Sequence, residues 1–201
     1  DEYKGLAIHW NDLEYFKITT SATTNSLAID FKSLNNSTNA DYRIVLLNNA
    51  GVEQTAFDAN DGSNKTLITG VKPSTIYYIL IDPGNYVSEF LYSIKATFLT
   101  DTYEIEDNGS TGKATIINNG TEYRGLAIHW NDLEYFKFTT SVSTYSITAS
   151  FYNYSDSANA DFKISLLNSA GTELSFFNAN DGVDNAQIIS VQPSTTYYIL
   201  I

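Results

Sequence analysis

The chain repeats itself at a fixed offset of 120 residues. The segment GLAIHWNDLEYFK occupies Gly5–Lys17 and recurs letter for letter at Gly125–Lys137. At the same offset, NADYRIVLLNNAG matches NADFKISLLNSAG, FDANDG matches FNANDG, and VKPSTIYYILI matches VQPSTTYYILI. Solenoid repeats have shorter periods, of about 20–50 residues. A period of this length therefore predicts two tandem domains of the same type.

We expect the two copies to contain different parts of the module, the first without its beginning and the second without its end. Residues 82–122 occur once, between the matched blocks. The first module, predicted at residues 1–100, would end with the strand SEFLYSIKATFL and would lack an N-terminal arm. The second module, predicted at residues 101–201, would begin with the arm YEIEDNGSTGKATII and would lack its last strand.

Strand patterns occur throughout both copies. EFLYSIKATF alternates apolar and polar residues, which is the period of a half-buried strand. SLAIDF and SITASF alternate in the same way, and YRIVLL and TIYYILI are rich in the Val, Ile and Tyr typical of central strands. Asn-Ala-Gly, Asp-Gly, Pro-Gly and Asn-Gly segments favour turns between them. These features predict an all-β fold of two tandem antiparallel β-sandwich modules, with about eight strands in each.

Composition and charge exclude several classes of function. The chain has no cysteine, which excludes disulfides, thiolate catalysis and cysteine-ligated zinc. Its formal net charge is −12, with 11 Lys and Arg against 23 Asp and Glu. Nucleic acid is therefore disfavoured as a partner, because phosphate binding needs clustered cations. Insertion into a membrane is not expected either, since no run of about 18 apolar residues is present.

The polar composition indicates an extracellular or cell-surface protein. Asn, Ser, Thr and Tyr dominate the polar residues, and Lys is scarce. Several N-x-S/T triplets are compatible with the N-glycosylation of a secreted glycoprotein. These triplets begin at Asn35, Asn36, Asn64, Asn108, Asn119 and Asn153.

Motifs of enzymatic chemistry are missing from the sequence. It contains no G-x-S-x-G, no H-E-x-x-H and no glycine-rich phosphate loop. His9 and His129 are each a single histidine on a predicted strand, without a second histidine or a serine motif nearby. We interpret both as structural residues, and an enzyme is not expected.

The invariant segment contains a cluster of oxygen-bearing side chains. In each copy its strand pattern breaks at an Asn-Asp pair and resumes at the Tyr that follows a Glu. The residues concerned are Asn11, Asp12 and Glu14 in the first copy and Asn131, Asp132 and Glu134 in the second. Calcium needs six to eight oxygen ligands, of which one such turn supplies about half. The arm of the second copy offers Glu104, Glu106 and Asn108 on one side of an extended chain.

Two interpretations of the segment remain open at this point. Oxygens from the arm and the turn meet around a calcium ion, or the segment is a fold motif in which Trp10 and Tyr15 are core residues and Asn11-Asp12 is an ordinary turn. In the first interpretation the first copy holds at most half a site, because it has the turn without the arm.

The combination of this arm, this turn, NADxxIxLLNxAG and PSTxYYILI resembles the bacterial pre-peptidase C-terminal domain. It is similar in particular to the collagen-binding modules of clostridial collagenases. The resemblance implies a non-catalytic, jelly-roll-like β-sandwich attached to secreted proteins, with bound calcium in the collagenase branch. It assigns the arm ligands to Glu104, Glu106 and Asn108, and the turn ligands to Asp132 with Asn131 and Glu134. The chain departs from the family pattern with Asp107 in place of a proline and Glu134 in place of an aspartate.

Two functions follow as expectations. The first is a structural or assembly repeat of a secreted or cell-surface protein, such as a filament subunit, joined to other copies of the chain by strand or arm exchange and clipped by calcium. The second is a calcium-dependent adhesion module that binds an extracellular polymer, collagen or glycan, on behalf of a secreted hydrolase. Tandem copies would raise the avidity of such a module.

Overall fold

The computed structural model describes residues 2–7, 12–34, 40–84, 90–106, 108–125, 132–154 and 160–201. This part of the chain is all-β, as predicted, and consists of strands in several mainly antiparallel sheets joined by turns. None of its elements is a helix with the length and apolar character that a membrane span requires. The chain divides into two compact units, Asp1–Asp107 and Asn108–Ile201.

The first unit consists of two four-stranded antiparallel sheets. Its strands are β1 (Glu2–Ala7), β2 (Glu14–Thr19), β3 (Ser26–Ser33), β4 (Tyr42–Asn48), β5 (Glu53–Ala59), β6 (Lys65–Gly70), β7 (Ile76–Asp82) and β8 (Phe90–Leu99). One sheet has the order β1-β8-β3-β6 and the other the order β2-β7-β4-β5. Strand β8 is therefore central, paired with β1 on one side and with β3 on the other.

The two sheets of the first unit share one apolar core. Alternation along β3 buries Leu27, Ile29 and Phe31, each at most 1% exposed. Residues Tyr92 and Ile94 of β8 belong to the same buried cluster, and so do alternate residues of β4 and β7. A core shared by the inner faces of two sheets is the packing of a β-sandwich. The predicted inward faces of SLAIDF and of the centre of EFLYSIKATF are confirmed.

The second unit repeats most of this arrangement. Its strands are β9 (Thr115–Ile116), β10 (Tyr135–Thr139), β11 (Ser146–Phe151), β12 (Phe162–Leu167), β13 (Glu173–Ala179), β14 (Asn185–Ser190) and β15 (Thr196–Leu200). One sheet has the order β13-β12-β15-β10-β9, which reproduces β5-β4-β7-β2 at the offset of 120 and adds β9 in parallel. The other described sheet contains β11 and β14 alone.

No counterpart of β8 lies among the described residues, since its position shifted by 120 falls after Ile201. Within the described residues, β11 pairs with β14, as β3 pairs with β6, and its other edge has no strand. Residues 122–125 correspond to the first four residues of β1 and are not part of a strand. Phe151 is half-buried, whereas its counterpart Phe31 is 1% exposed.

The turns also repeat at the same offset. Asp61 and Asp181 have φ values of 54° and 55°, and each precedes a glycine with positive φ. Ser74 and Ser194, in the two PST turns, have φ values of 51° and 50°. Asp-Gly was expected to mark a turn because both residues tolerate a positive φ. That prediction is confirmed in both copies.

We expect Tyr42→Phe to raise the free energy of unfolding of the first unit by about 1 kcal/mol. The hydroxyl of Tyr42 is buried and has no hydrogen-bond partner among the described residues. A buried polar group without a partner lowers stability by roughly 1–3 kcal/mol. The counterpart of Tyr42 in the second unit is already a phenylalanine, Phe162. The matched control is Tyr77→Phe, since the hydroxyl of Tyr77 accepts a hydrogen bond from the backbone N–H of Lys72 at 2.9 Å.

The control should destabilise the unit by about 1 kcal/mol. Urea unfolding of both variants measures the difference. An equal loss of stability in the two variants would show that the hydroxyl of Tyr42 has a partner after all.

Candidate metal centre

The structure places seven of the nine predicted ligands in described segments. Asn11 and Asn131 lie outside the described residues, as do His9, His129 and Trp10. The alternative role of Tyr15 as a core residue is wrong, because Tyr15 is 57% exposed on the outer face of β2. The remaining ligands divide between the two units, with Asp12, Glu14, Glu104 and Glu106 in the first and Asn108, Asp132 and Glu134 in the second.

The beginning of the arm packs against the first unit. The backbone N–H of Gly70, the last residue of β6, donates to the carbonyl oxygen of Glu104 at 2.7 Å. The hydroxyl of Ser26 donates to the carbonyl oxygen of Asp101 at 2.8 Å. A Cβ atom on Gly70 would lie 2.2 Å from the carbonyl oxygen of Glu104, so only glycine leaves room for the arm backbone. Glu104 itself is 2% exposed.

Two arm carboxylates lie side by side in the first unit. Glu104 and Glu106 each offer a carboxylate oxygen within 4.8 Å of the other. Glu104 is buried and Glu106 is half-buried. Calcium ligands in proteins include carboxylate and carbonyl oxygens, so these two side chains are compatible with the predicted site.

The continuation of the arm packs against the turn of the second unit. Asn108 is 1% exposed, and its carbonyl oxygen accepts a hydrogen bond from the backbone N–H of Tyr135 at 3.3 Å. Its side-chain amide donates to the hydroxyl of Thr115 at 3.4 Å. From there the arm forms β9, which runs parallel to β10 with Thr115 opposite Phe136. Asn108 and the start of β10 are thus held together inside this unit.

Glu134 is the buried carboxylate of the second turn. It is 4% exposed, and its backbone makes a reciprocal pair of hydrogen bonds with Ile201, at 3.1 and 3.0 Å. Glu134 therefore occupies a fixed position at the beginning of β10, next to the residue that binds the carbonyl oxygen of Asn108. Asp132, two residues earlier, is half-buried. The prediction that arm and turn share one calcium ion stays a prediction.

The corresponding corner of the first unit contains a tyrosine that was not among the predicted site residues. Tyr92 is fully buried, and its hydroxyl has no hydrogen-bond partner among the described residues. Burial, and then the negative charges of Glu14, Tyr42 and Asp12, raise the pKa of Tyr92. The turn carboxylates Glu14 and Asp12 thus lie close enough to act on this hydroxyl. The signal in the sequence was the apolar alternation of β8, which places Tyr92 inside but does not identify its neighbours.

Alkaline pH should destabilise the first unit selectively. Burial raises the pKa of Tyr42 from 10.0 to about 12 and also raises the pKa of Tyr92. The folded state therefore holds these protons more tightly than the unfolded state does. This contribution to the free energy of unfolding is complete below pH 10 and is lost as the pH rises towards 12. For Tyr42 the change in pKa corresponds to a loss of about 3 kcal/mol.

Urea unfolding at pH 9 and pH 11.5, combined with tyrosinate absorbance, measures this loss. The second unit provides the comparison, because Phe162 replaces Tyr42 there and β8 has no described counterpart. Equal alkaline losses in the two units would contradict the assignment to Tyr42 and Tyr92.

No family model matches the chain, and no curated protein matches it. The resemblance to the pre-peptidase C-terminal domain accordingly stays a prediction, which depends on the arm, the turn and the two strand motifs of the sequence.

Proposed function

We propose that the chain is a non-catalytic structural repeat of a secreted or cell-surface protein, built from two tandem jelly-roll-like modules that join other copies by strand or arm exchange. The observation that carries this proposal is the repetition of one strand order in two compact units of one chain, β5-β4-β7-β2 in the first and β13-β12-β15-β10 in the second. Each unit also has a sheet edge to which a further strand fits. An open strand edge presents unpaired N–H and C=O groups and recruits strands from neighbours.

The first of these edges belongs to β2 in the first unit. Within the described residues, β2 pairs with β7 alone. Its counterpart β10 pairs with β15 on one side and with the arm strand β9 on the other. An arm strand of the Thr115–Ile116 type fits this edge of β2, whether it precedes the first unit in the same polypeptide or comes from another copy.

The second edge belongs to β11 in the second unit. Its counterpart β3 lies between β6 and β8, whereas β11 has a described partner on one side only. A strand of the β8 type fits this edge of β11 in the same way. Where another copy supplies the arm or the strand, the contact is heterologous and head-to-tail, which produces open filaments unless the rotation closes a ring.

Sedimentation velocity over a wide concentration range, with and without calcium, tests this assembly. Association that increases with concentration and extends beyond a dimer is the expected result. A chain that remains monomeric at the highest concentration, with calcium present, would rule out self-assembly.

Calcium should stabilise the protein if the predicted ligands bind it. A ligand at 100 times its dissociation constant raises the free energy of unfolding by about 2.7 kcal/mol. The combined variant Glu104→Gln and Glu134→Gln should lose this increase, because both carboxylates are buried predicted ligands. Differential scanning calorimetry with calcium and with EDTA measures it.

The matched control is Glu173→Gln, which removes the same charge from a solvent-exposed carboxylate that pairs with Lys163 at 2.7 Å. It should keep the full calcium response. A response that survives in the Glu104 and Glu134 variant would remove calcium from the proposed function.

A second candidate function, binding of an extracellular polymer, is supported by exposed tyrosines of the second unit. Tyr145, Tyr152 and Tyr154 are 69%, 53% and 69% exposed. The hydroxyl of Tyr154 donates to Glu122 at 2.9 Å, and the guanidinium of Arg124 lies 5.5 Å from the centre of the Tyr154 ring.

Pull-down on collagen, chitin and cellulose tests this alternative. Alanine substitution of Tyr145 and Tyr152 should reduce retention, and Tyr15→Ala in the first unit should not.

A further inference from the structure

We propose that Asn119 is a site of spontaneous covalent modification, at which the folded protein deamidates to aspartate and isoaspartate. The chain contains two Asn-Gly pairs, Asn108-Gly109 and Asn119-Gly120, and each begins an N-G-S/T triplet. The fold exposes one of these pairs to the reaction and protects the other. The modification requires only water, and it depends neither on self-assembly nor on calcium.

The reaction is an attack of a backbone nitrogen on the preceding side-chain amide. The nitrogen of Gly120 forms a bond to the Cγ atom of Asn119, and the bond between Cγ and Nδ2 breaks. Ammonia leaves with the proton of the Gly120 N–H, and a succinimide remains. Water then opens the succinimide at either of its carbonyl groups, which gives aspartate or isoaspartate. Glycine favours the attack because it has no Cβ atom to hinder the approach.

Asn119 lies in an exposed turn. The backbone N–H of Thr121 donates to the carbonyl oxygen of Asn118 at 3.2 Å, and Gly120 has a φ of 75°. Asn119, Gly120 and Thr121 are all exposed. A Cβ atom on Gly120 would meet no atom of the described residues within 4 Å beyond its chain neighbours. The peptide group between Asn119 and Gly120 can therefore rotate into the geometry of attack without displacing a neighbour.

Neither reacting group of this turn is held by a hydrogen bond within the described part of the chain. The side chain of Asn119 and the N–H of Gly120 make none there. The polar contacts belong to the preceding residue, since the side-chain amide of Asn118 donates to the hydroxyl of Tyr123 at 3.3 Å. The Gly120 nitrogen is thus available as the nucleophile, and the Asn119 carboxamide can turn towards it.

Asn108 differs from Asn119 in each of these respects. It is 1% exposed, and its side-chain amide donates to the hydroxyl of Thr115 at 3.4 Å. Its carbonyl oxygen accepts hydrogen bonds from the backbone N–H groups of Ser110 and Tyr135, at 2.7 and 3.3 Å. These bonds hold both the side chain and the peptide group that would have to rotate, and burial excludes water. Asn108 therefore reacts only when this part of the unit opens locally.

Both products change the turn. Each adds one negative charge to a chain with a formal net charge of −12 and removes the asparagine of the N-x-T triplet that begins at Asn119. Isoaspartate also adds one methylene to the main chain inside the turn that the hydrogen bond from Thr121 to Asn118 closes. The residue after β9, Ile117, is bound to the carbonyl oxygen of Lys137 at 2.9 Å. We therefore expect the change to stay within the turn and to leave β9 paired with β10.

Peptide mapping by mass spectrometry tests the site on the intact chain, incubated at neutral pH in water labelled with a heavy oxygen isotope. The label enters when the succinimide opens, so it marks reaction during the incubation. An isoaspartyl methyltransferase then detects isoaspartate. In the folded chain we expect Asn119 to react at least tenfold faster than Asn108, which corresponds to about 1.4 kcal/mol in activation free energy. In urea the two pairs should react at similar rates, because both are Asn-Gly.

The matched variants place a methyl group on the attacking residue of each pair. Gly120→Ala should slow the reaction at Asn119 about tenfold or more, because the added Cβ hinders the approach of the nitrogen. Gly109→Ala should leave the rate at Asn119 unchanged. The added Cβ of this variant would lie 3.6 Å from the carbonyl oxygen of Leu133, which is an ordinary contact, so the variant should fold.

Equal rates at Asn108 and Asn119 in the folded chain would overturn the inference, since the fold would then not distinguish the two pairs. A rate at Asn119 that is about tenfold lower in the folded chain than in urea would overturn it as well, because the turn would then be protected. Aspartate without any isoaspartate would rule out the succinimide route. Both rates are measured on the unsubstituted protein, so the test does not depend on the folding of a variant.

Discussion

Replacing Phe31 with alanine is expected to destabilise the first unit by about 4 kcal/mol, within the range of roughly 3–5 kcal/mol for a buried phenylalanine. Phe31 is 1% exposed and contacts two aromatic rings, those of Tyr42 at 4.8 Å and Tyr92 at 5.7 Å. Its removal leaves a cavity between the two sheets, bordered by rings that belong to different strands and cannot collapse together.

The matched variant is Phe151→Ala, at the same position of the second unit. Phe151 is half-buried, whereas Phe31 is almost completely buried. We therefore expect a loss of about 2 kcal/mol, since less contact is removed. Urea unfolding followed by hydrogen exchange in peptides from each unit separates the two effects. Equal losses would mean that Phe151 is covered in solution by something that the described residues do not include.

Gly70→Ser should have the second largest effect and lower the free energy of unfolding by about 2–4 kcal/mol. Overpacking contributes roughly 1–3 kcal/mol of this loss. The broken hydrogen bond contributes roughly 1 kcal/mol. The added Cβ would meet the carbonyl oxygens of Glu104 and Tyr103 at 2.2 and 2.4 Å, and neither backbone atom can rotate away. The arm must then leave the end of β6, and Glu104 loses its buried position.

Serine is the residue that the second copy has at this place, Ser190, so the reverse change Ser190→Gly is a natural control. Because Ser190 is exposed, we expect Ser190→Gly to change the free energy of unfolding by less than about 1 kcal/mol. Limited proteolysis and hydrogen exchange of residues 101–106 measure the release of the arm. An arm that stays protected in Gly70→Ser would contradict the close approach.

The strands of this protein were predictable because their residues satisfy a local rule. Alternation placed Leu27, Ile29 and Phe31 on one face, and all three are buried. The turn residues repeat with the same dihedral angles in both copies. Each of these features depends on a few neighbouring residues, and each occurs in both copies of the repeat.

Features that depend on distant partners were less predictable. Tyr15 is a strand residue that suits either face of a sheet, and only the pairing of β2 decides that it points outwards. The same applies to Gly70, whose role depends on an arm that follows it by more than thirty residues in the sequence. The difference between Gly70 and Ser190 was visible in the alignment of the two copies. The structural reason for the glycine became clear only from the position of the Glu104 backbone.

The central place of β8 has a consequence for how the polypeptide acquires its fold. Strand β8 pairs with β1 and β3, which end more than fifty residues before β8 begins. The entropy of closing such long loops must be overcome before these contacts form, which makes non-local strand pairing slow. During synthesis, the first sheet can therefore be completed only after all eight strands of the first unit have emerged from the ribosome.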